Sequence, residues 1–456
     1  MKRICLPLTL LVFLFVSSAV IATAADVTAV QRAIAKKGAA WTAGETALSD
    51  LSPEAFARYC NWEFAEPPNQ VLWSEETKLS KDTPNHIDWR DIDGENFVTP
   101  IKDQHPCGTC ATFSSIAVFE AMIKIVVDNS FVEPDLSEEH VYACEGPVPY
   151  TFFHPMIYLK GSGAPDETCM PYDCQFTGDR PPCNETCSDW EARAMKTTDY
   201  RFFMWPQPEA LIEALQDGPI IAGMQVYEDF QTYTGGIYEH VTGGILGGHG
   251  VALIGYNRAE QYWIIKNSWG TEWGEAGFAK MRWETGMLRF GYQSVDISVD
   301  YETICGANTA PMIDDLELPD ATLDLPEDAD LDFTFNYADL EANLRGGELF
   351  ISLDGGDAFR YEEPLRELIG TSEAAREDIA VFTVAGPFVP GDHTLQIVVN
   401  DICGAQSNEI TVPFTVAGEI PSDDDDDDSD SPADDDDDND DQATDDDDDD
   451  DGGCGC

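Results

Sequence analysis

The stretch Asp103–Met122, "DQHPCGTCATFSSIAVFEAM", decides the fold because it joins a cysteine-bearing loop to an apolar helical pattern. Pro106 and Gly108 mark a turn, and the positions after Cys110 are apolar at helical spacing: Phe113, Ile116, Ala117, Phe119, Met122, Ile123 and Val126. Cys110 is therefore predicted at a helix N-terminus, where the helix dipole lowers a thiol pKa. Cys107 lies before the helix and suits a structural bridge.

A Cys-x-x-Cys pair has three readings at this point. It is a redox couple, one half of a metal site, or a disulfide half-cystine beside a nucleophilic cysteine. The rest of the chain must discriminate among them.

The N-terminus predicts export. Lys2 and Arg3 precede an apolar run, and Ala22-Thr23-Ala24 offers small residues for signal peptidase, so residues 1–24 are interpreted as a signal peptide. No other run approaches the ~20 apolar residues that span a bilayer. We therefore expect a secreted or cell-surface protein without a transmembrane helix, in which disulfides are permitted.

The chain is strongly acidic, with a formal net charge of −62. Residues 422–451 hold 21 aspartates of the 87 acidic residues, so the body is acidic too. This charge argues against nucleic acid or an anionic membrane as partner. The tail, 419–456, is predicted to be disordered and ends in "GGCGC". It is a solvated spacer, and Cys454 or Cys456 is a candidate point of attachment to the cell surface.

Composition divides the rest of the 456-residue chain into three regions. Residues 25–83 are polar with short helical patterns, and residues 84–300 are rich in glycine, aromatics and cysteine. Residues 304–418 contain short β-type runs such as "GELFISLDGG" and "HTLQIVVND", the pattern of a small sandwich. Cys305 and Cys403 are the only cysteines in that module, so we expect a disulfide between its first and last strands. This module is interpreted as a folded spacer or adhesive unit.

Seven histidines are candidates for the base that accepts the proton of a nucleophilic Cys110. His249, in "GGHGVALIGY", opens a buried-type strand between glycines that allow close approach. Asn267 follows a second apolar strand in "YWIIKNSWGTEWGEAGF", with Trp269 two residues on. An amide that orients an imidazole and an indole that shields it are typical supports of a Cys–His pair.

These residues resemble the papain-like cysteine peptidases, which include the cathepsins. The resemblance covers residues 84–300 and rests on motifs in family order: "HIDWRDIDGENFVTPIKDQHPCGTC", "DLSEEHVYAC", "CMPY", "TGGIYEH", "GGHGVALIGY" and "KNSWGTEWGEAGF". His249 and Asn267 lie 139 and 157 residues after Cys110, against about 130–150 in the family. The resemblance implies an α+β fold with a helical lobe and a barrel-like β lobe, and it disfavours the redox and metal readings.

The resemblance also implies roles for five residues. Cys110 is the nucleophile and His249 the general acid/base. Asn267 orients His249 beneath Trp269. Gln104 offers its side-chain amide to the oxyanion together with the backbone N–H of Cys110.

Other positions are assigned supporting roles or depart from the family. Glu120 is read as a structural partner, and His240 is a rival base that the family does not use. The family usually has an aromatic after the nucleophile, whereas Ala111 stands here, so Phe113 is expected to fill the space. After Cys144 the chain reads "EGPVPYTFFHPMIY", without the usual Gly-Gly pair that binds the substrate backbone.

The remaining cysteines of the catalytic region predict three disulfides among Cys107, Cys144, Cys169, Cys174, Cys183 and Cys187, with 15 possible connectivities. The segment "CMPYDCQFTGDRPPCNETC" resembles the disulfide-rich segment of cathepsin B-like enzymes. It lacks their histidine pair, which favours an endopeptidase.

The sequence therefore predicts a secreted cysteine endopeptidase that acts on proteins or peptides through a thioester acyl-enzyme. Residues 25–83 resemble a propeptide that inhibits the enzyme until it is cleaved between about Lys78 and His86, and no cofactor or metal is called for. A retained N-terminal subdomain is the alternative for residues 25–83. The alternative function, motivated by Ala111 and the missing Gly-Gly pair, is a catalytically silent adhesion or binding protein on the same scaffold.

Overall fold

The computed structural model describes residues 26–60, 79–146, 153–174, 180–204, 206–283, 293–319, 322–323, 330–339, 343–344, 346–361, 364–365, 371–385 and 388–417. The predicted signal peptide, the acidic tail with Cys454 and Cys456, and residues 147–152 of the "EGPVPYTFFHPMIY" stretch lie outside these residues. So does the beginning of the predicted cleavage region. No helix within the described ranges is long and apolar enough to cross a membrane.

The helical lobe is built around α3, Cys110–Val126, which is buried on nearly all sides. It packs against α4, Glu138–Cys144, and α5, Phe153–Gly161. The Ser137 hydroxyl caps α4 by accepting a hydrogen bond from the His140 N–H at 3.0 Å. The other helices are α1 Val27–Lys37, α2 Pro53–Phe56, α6 Trp190–Arg193, α7 Pro208–Ala214 and α8 Tyr301–Cys305.

The second lobe is a nine-stranded sheet in the order β1-β5-β8-β7-β6-β4-β9-β3, with β2 pairing with β6. Its strands are β1 Trp41–Ala43, β2 His86–Asp88, β3 Asp199–Met204, β4 Ile220–Tyr227, β5 Tyr233–Tyr238, β6 Ile245–Asn257, β7 Tyr262–Lys266, β8 Phe278–Arg282 and β9 Gln293–Ser298. The long strand β6 sits inside the sheet between β4 and β7, so whatever it carries is held from both sides.

Strand β6 is apolar along its length because both faces of the sheet are covered. Val251 and Leu253 belong to the core formed with the N-terminal segment, whereas Ala252 and Ile254 belong to the core formed with α3. This alternation follows from the period of two in a strand. It places α3 against one face of β6 and the N-terminal segment against the other.

The N-terminal segment, residues 26–60, is attached to the sheet rather than to the helical lobe. Strand β1 pairs antiparallel with β5, with Trp41 opposite Gly236. The Trp41 ring packs edge-on against Tyr238, with centroids 5.1 Å apart. The Gln231 side chain donates to the Leu51 carbonyl at 2.9 Å. The segment thus extends the sheet before its last residues turn into the cleft.

The C-terminal module is an all-β unit with its own core. One sheet has the order β10-β12-β15 and the other β11-β17-β16-β13-β14. The strands are β10 Met312–Glu317, β11 Thr322–Leu323, β12 Asp330–Asp339, β13 Glu348–Leu353, β14 Phe359–Arg360, β15 Thr371–Ala385, β16 Gly391–Asn400 and β17 Ile410–Val416. The expectation for its disulfide is wrong in detail: Cys305 and Cys403 pair, but they join α8 to the turn before β17.

The module packs on the helical lobe. The Glu133 N–H donates to the Gly346 carbonyl at 2.9 Å. The Arg360 guanidinium lies 3.7 Å above the centre of the Phe131 ring. Ile402 belongs to the core that surrounds α3. The loop between α3 and α4 is therefore held by the module as well as by its own lobe.

Candidate active site

Cys110 is the first residue of α3 and is 1% exposed. The preceding loop is fixed to the opposite wall, because the Gln104 N–H donates to the Ser268 carbonyl at 2.9 Å. Asp103 and Trp269 also form an isolated β-bridge. The amino end of a helix is where the helix dipole favours negative charge, and Cys110 occupies that position.

The Gln104 side chain is held by both of its polar atoms. Its Oε1 accepts from the Ser268 hydroxyl at 2.6 Å, and its Nε2 donates to the Cys107 carbonyl at 2.6 Å. The same Nε2 donates to the Tyr59 carbonyl of the N-terminal segment at 3.2 Å. A fully buried amide with a fixed N–H direction can hold a carbonyl oxygen on which negative charge develops.

His249 lies on β6 opposite Met224 of β4 and is fully buried. Its Nε2 is 2.8 Å from Oδ1 of Asn267. Because the amide oxygen is an acceptor, Nε2 is the protonated ring nitrogen, and Nδ1 remains as the basic atom. The Trp269 ring covers this pair, with its centroid 4.6 Å from that of the imidazole.

Burial dominates the electrostatics of His249. It lowers the pKa of this histidine to about 4, against the opposing effects of the Asn267 side chain and the Tyr59 backbone. At neutral pH the imidazole is thus uncharged in this state of the protein. It is a neutral base whose Nδ1 carries no proton, and it is buried away from water.

The N-terminal segment closes the site through its last residues. Phe56 and Tyr59 pack against Trp269, with ring centroids 5.2 and 6.2 Å away. A Cβ placed on Gly247 would lie 2.2 Å from the Cys60 carbonyl oxygen, so only glycine permits this approach. The structure is that of a blocked precursor.

His249, Asn267 and Trp269 lie together, Ser268 links them to Gln104, and the rival base does not join them. A small cavity between α3 and β6 is lined by Phe113, Ser114, Gly250, Asn267 and Ser268, among others, which places the amino end of α3 beside the His249 strand. His240 instead stacks on Tyr227 and bonds to Asp229 at 3.1 Å, which is a structural role.

Sequence reasoning missed three features of the site. One is the blocking pair Tyr59 and Cys60, for which the sequence offers no local signal. The second is Tyr172, within the quoted "CMPY", whose hydroxyl donates to the Gln104 carbonyl at 2.9 Å. The Phe113 ring packs edge-on against the Tyr172 ring, with centroids 4.7 Å apart. The third is the disulfide pattern, which is Cys107–Cys174, Cys144–Cys183 and Cys169–Cys187.

A buried charge network supports the loop that carries Gln104. Glu120, on α3, accepts from the Thr99 hydroxyl at 2.6 Å and from the Lys102 ammonium at 3.0 Å. Burial opposes the charge of Lys102, but the Glu120, Glu138 and Asp135 carboxylates raise its pKa well above the usual value. Glu120 therefore has the structural role that the sequence suggested.

Comparisons with known proteins bear on the family and the fold. Residues 83–297 match the family described as papain family cysteine protease. The chain is 31% identical over 223 residues to Cathepsin B-like CP3 of Giardia intestinalis, a match covering 45% of this chain and 71% of that protein. It is 33% identical over 250 residues to Cathepsin C of Schistosoma mansoni, covering 49% of this chain and 52% of that protein. Among solved structures, proCathepsin B S9 from Trypanosoma congolense aligns with a TM-score of 0.51 at 19% identity, over 59% of this chain and 97% of that one, which confirms the predicted α+β two-lobe fold.

The charge network yields a stability prediction. Glu120→Ala removes the acceptor of the buried Thr99 hydroxyl and of the Leu136 N–H, while Lys102 keeps Glu138 and Asp135. Leaving a buried donor unsatisfied typically costs about 1–3 kcal/mol. We expect a fall of that size in the free energy of unfolding, measured by urea denaturation of the full chain. The exposed control Glu272→Gln should change it by less than about 0.5 kcal/mol. An unaltered urea midpoint for Glu120→Ala would contradict the assignment.

Proposed function

We propose that this chain, which belongs to the papain family of cysteine proteases, is secreted as an inactive precursor and becomes an endopeptidase when its N-terminal segment is removed. The observation that carries the proposal is the His249–Asn267 hydrogen bond beneath Trp269, on the wall facing the buried helix end at Cys110. A buried imidazole that is held in one tautomer, with Nδ1 as the basic atom, is suited to taking a proton from a thiol.

In the proposed reaction Cys110 is the nucleophile. Its proton passes to Nδ1 of His249, the helix amino end stabilises the thiolate, and the resulting imidazolium is held by Asn267. Attack on a peptide carbonyl gives a thioester and releases the amine, which takes its proton from His249. Water, activated by the same imidazole, then hydrolyses the thioester.

Gln104 is the proposed oxyanion donor, and its present partner supports this role. The amide now donates to the Tyr59 carbonyl, so a backbone carbonyl of the N-terminal segment occupies the position proposed for a substrate carbonyl. Removal of the segment would expose Cys110, His249 and Gln104 together. Inhibition by the chain's own N-terminal segment follows from this arrangement.

The endopeptidase assignment rests on the segment 169–187, which contains no histidine. Imidazolium groups there would favour substrates with a free C-terminal carboxylate close to the scissile bond. Without them the cleft is suited to bonds inside a protein chain.

Secretion is supported by the N-terminal sequence and by four disulfides, which persist in oxidising compartments. Attachment of the tail to a cell surface through Cys454 or Cys456 is part of the proposal. Recovery of the complete, unmodified tail from culture medium would argue against that attachment.

The test of the function is labelling of the acid-activated protein with a thiol-directed epoxide, followed by peptide mapping. We expect modification at Cys110, its loss in Cys110→Ala, and strong attenuation in His249→Ala. A peptide blocked at both ends should be cleaved internally. A folded, processed protein that left Cys110 unlabelled and cleaved nothing would overturn the proposal.

Gln104→Ala should lower kcat by about 10²–10³, the usual effect of removing one oxyanion donor. Steady-state kinetics of the activated variant on a fluorogenic peptide measures this loss. The exposed control Gln216→Ala should retain wild-type kcat. If Gln104→Ala changed only KM, the amide would have a substrate-binding role instead.

Closure by the N-terminal segment should weaken in acid. His249 has a pKa of about 4 when closed and an ordinary value near 6.5 when the segment is released. The open form therefore binds the extra proton as pH falls from about 6.5 to 4. Over that range the stability of the closed form relative to the open form falls by about 3 kcal/mol.

Hydrogen exchange of residues 41–60 in the Cys110→Ala precursor, corrected for intrinsic rates at pH 7 and pH 4, measures this opening. We expect faster exchange at pH 4 while β6 stays protected. The matched double variant Cys110→Ala/His249→Gln should lose most of the pH dependence. Equal protection of residues 41–60 in the Cys110→Ala precursor at both pH values would contradict the mechanism.

A further inference from the structure

The N-terminal segment brings a second thiol into the cleft. Of the cysteines in the described part of the chain, eight form the four disulfides, and Cys60 and Cys110 are thiols. Cys60 is 5% exposed, although it lies in a polar segment that the mature enzyme would lack. The proposed peptidase reaction makes no use of it.

The backbone fixes Cys60 between the two walls of the site. The carbonyl of the preceding residue, Tyr59, accepts from the Gln104 amide at 3.2 Å on the helical side. The carbonyl of Cys60 itself lies against Gly247, two residues before His249. The Cβ of Cys60 would be 3.2 Å from a Cβ built on Gly247. Gln104 and Cys110 are on one wall and His249 is on the other, so the Cys60 side chain starts within the catalytic centre.

The two sulfurs also interact electrostatically. Burial and, next, the negative charge of Cys110 raise the pKa of the Cys60 thiol well above its usual value. Such an effect operates between groups that lie close together in a medium of low dielectric constant. This agrees with the position of Cys60 deduced from the backbone contacts.

We propose that Cys60 forms a disulfide with Cys110 in the precursor, so that the N-terminal segment is a covalent, thiol-reversible inhibitor as well as a steric one. This inference rests on the proposed function of Cys110 as nucleophile. The bond would remove the nucleophile and tether the segment in one step. Acid alone would then loosen the segment without releasing it.

The chemistry requires an oxidant, and a small-molecule disulfide such as oxidised glutathione supplies it. While the segment is open, the Cys60 thiolate attacks this disulfide, and one thiolate leaves. After the segment docks, the Cys110 thiolate attacks the Cys60 sulfur, the protein disulfide forms, and the second small thiolate leaves. Two protein thiols lose two electrons, and one small disulfide becomes two thiols. Excess thiol reverses both steps.

The first experiment equilibrates the full-length precursor with oxidised or reduced glutathione and maps tryptic peptides without reduction. The peptide of residues 59–78 should be joined to that of residues 103–124 in the oxidised sample alone. Cys60→Ser and Cys110→Ser should each abolish the linkage. A second readout does not depend on the protein's own activity. An added aspartic protease, which thiols do not affect, cleaves the segment. On a non-reducing gel the Cys60 fragment should stay attached in oxidised wild type and separate in Cys60→Ser.

The outcomes separate this inference from the function it rests on. Mixed glutathione adducts on Cys60 and Cys110 without a linked peptide, in a protein that cleaves peptides after reduction, would overturn the Cys60–Cys110 disulfide alone. A linked peptide in a protein that stays inactive after reduction and processing would overturn the peptidase proposal and keep the disulfide. At least a tenfold lower release of the segment in oxidised wild type than in Cys60→Ser is the result we expect.

Discussion

The constraint on which the rest of the structure depends is the complete burial of one imidazole. His249 has no exposed surface and rests on the Asn267 amide. An unprotonated histidine tolerates such a site, whereas a protonated one requires a nearby counter-charge. The helix end at Cys110 can supply that charge only as a thiolate. The Trp269 ring and the small residues around His249 are suited to keeping water away from the His249 imidazole and to letting other groups approach it closely.

The same burial explains why the N-terminal segment is an effective block. Phe56 and Tyr59 extend the aromatic cover of Trp269, and the Tyr59 carbonyl accepts from the Gln104 amide that faces the cleft. The Tyr59 carbonyl thus occupies the position proposed above for a substrate carbonyl. Its affinity needs no large area in the cleft because β1 already anchors it to the sheet edge.

Much of this could be predicted from the sequence, and the omissions have a physical reason. The helix after Cys110 follows from its apolar period, and β13 and β16 follow from the alternating runs around Phe350 and Ile397. Disulfide pairing and the position of Cys60 depend on which distant segments meet, and no local pattern encodes that. The disulfide of the C-terminal module is an example. The sequence predicts that Cys305 and Cys403 pair, but not that they lie in α8 and in a turn rather than in strands.

The charge network gives the C-terminal module a mechanical connection to the site. Its contact at Gly346 holds the backbone of Glu133, three residues before Leu136. The Leu136 N–H donates to Glu120 at 2.9 Å, and the Lys102 ammonium donates to the Leu136 carbonyl at 3.2 Å. Lys102 is two residues from Gln104. One loop and one buried carboxylate thus connect the module to the segment that carries the proposed oxyanion donor.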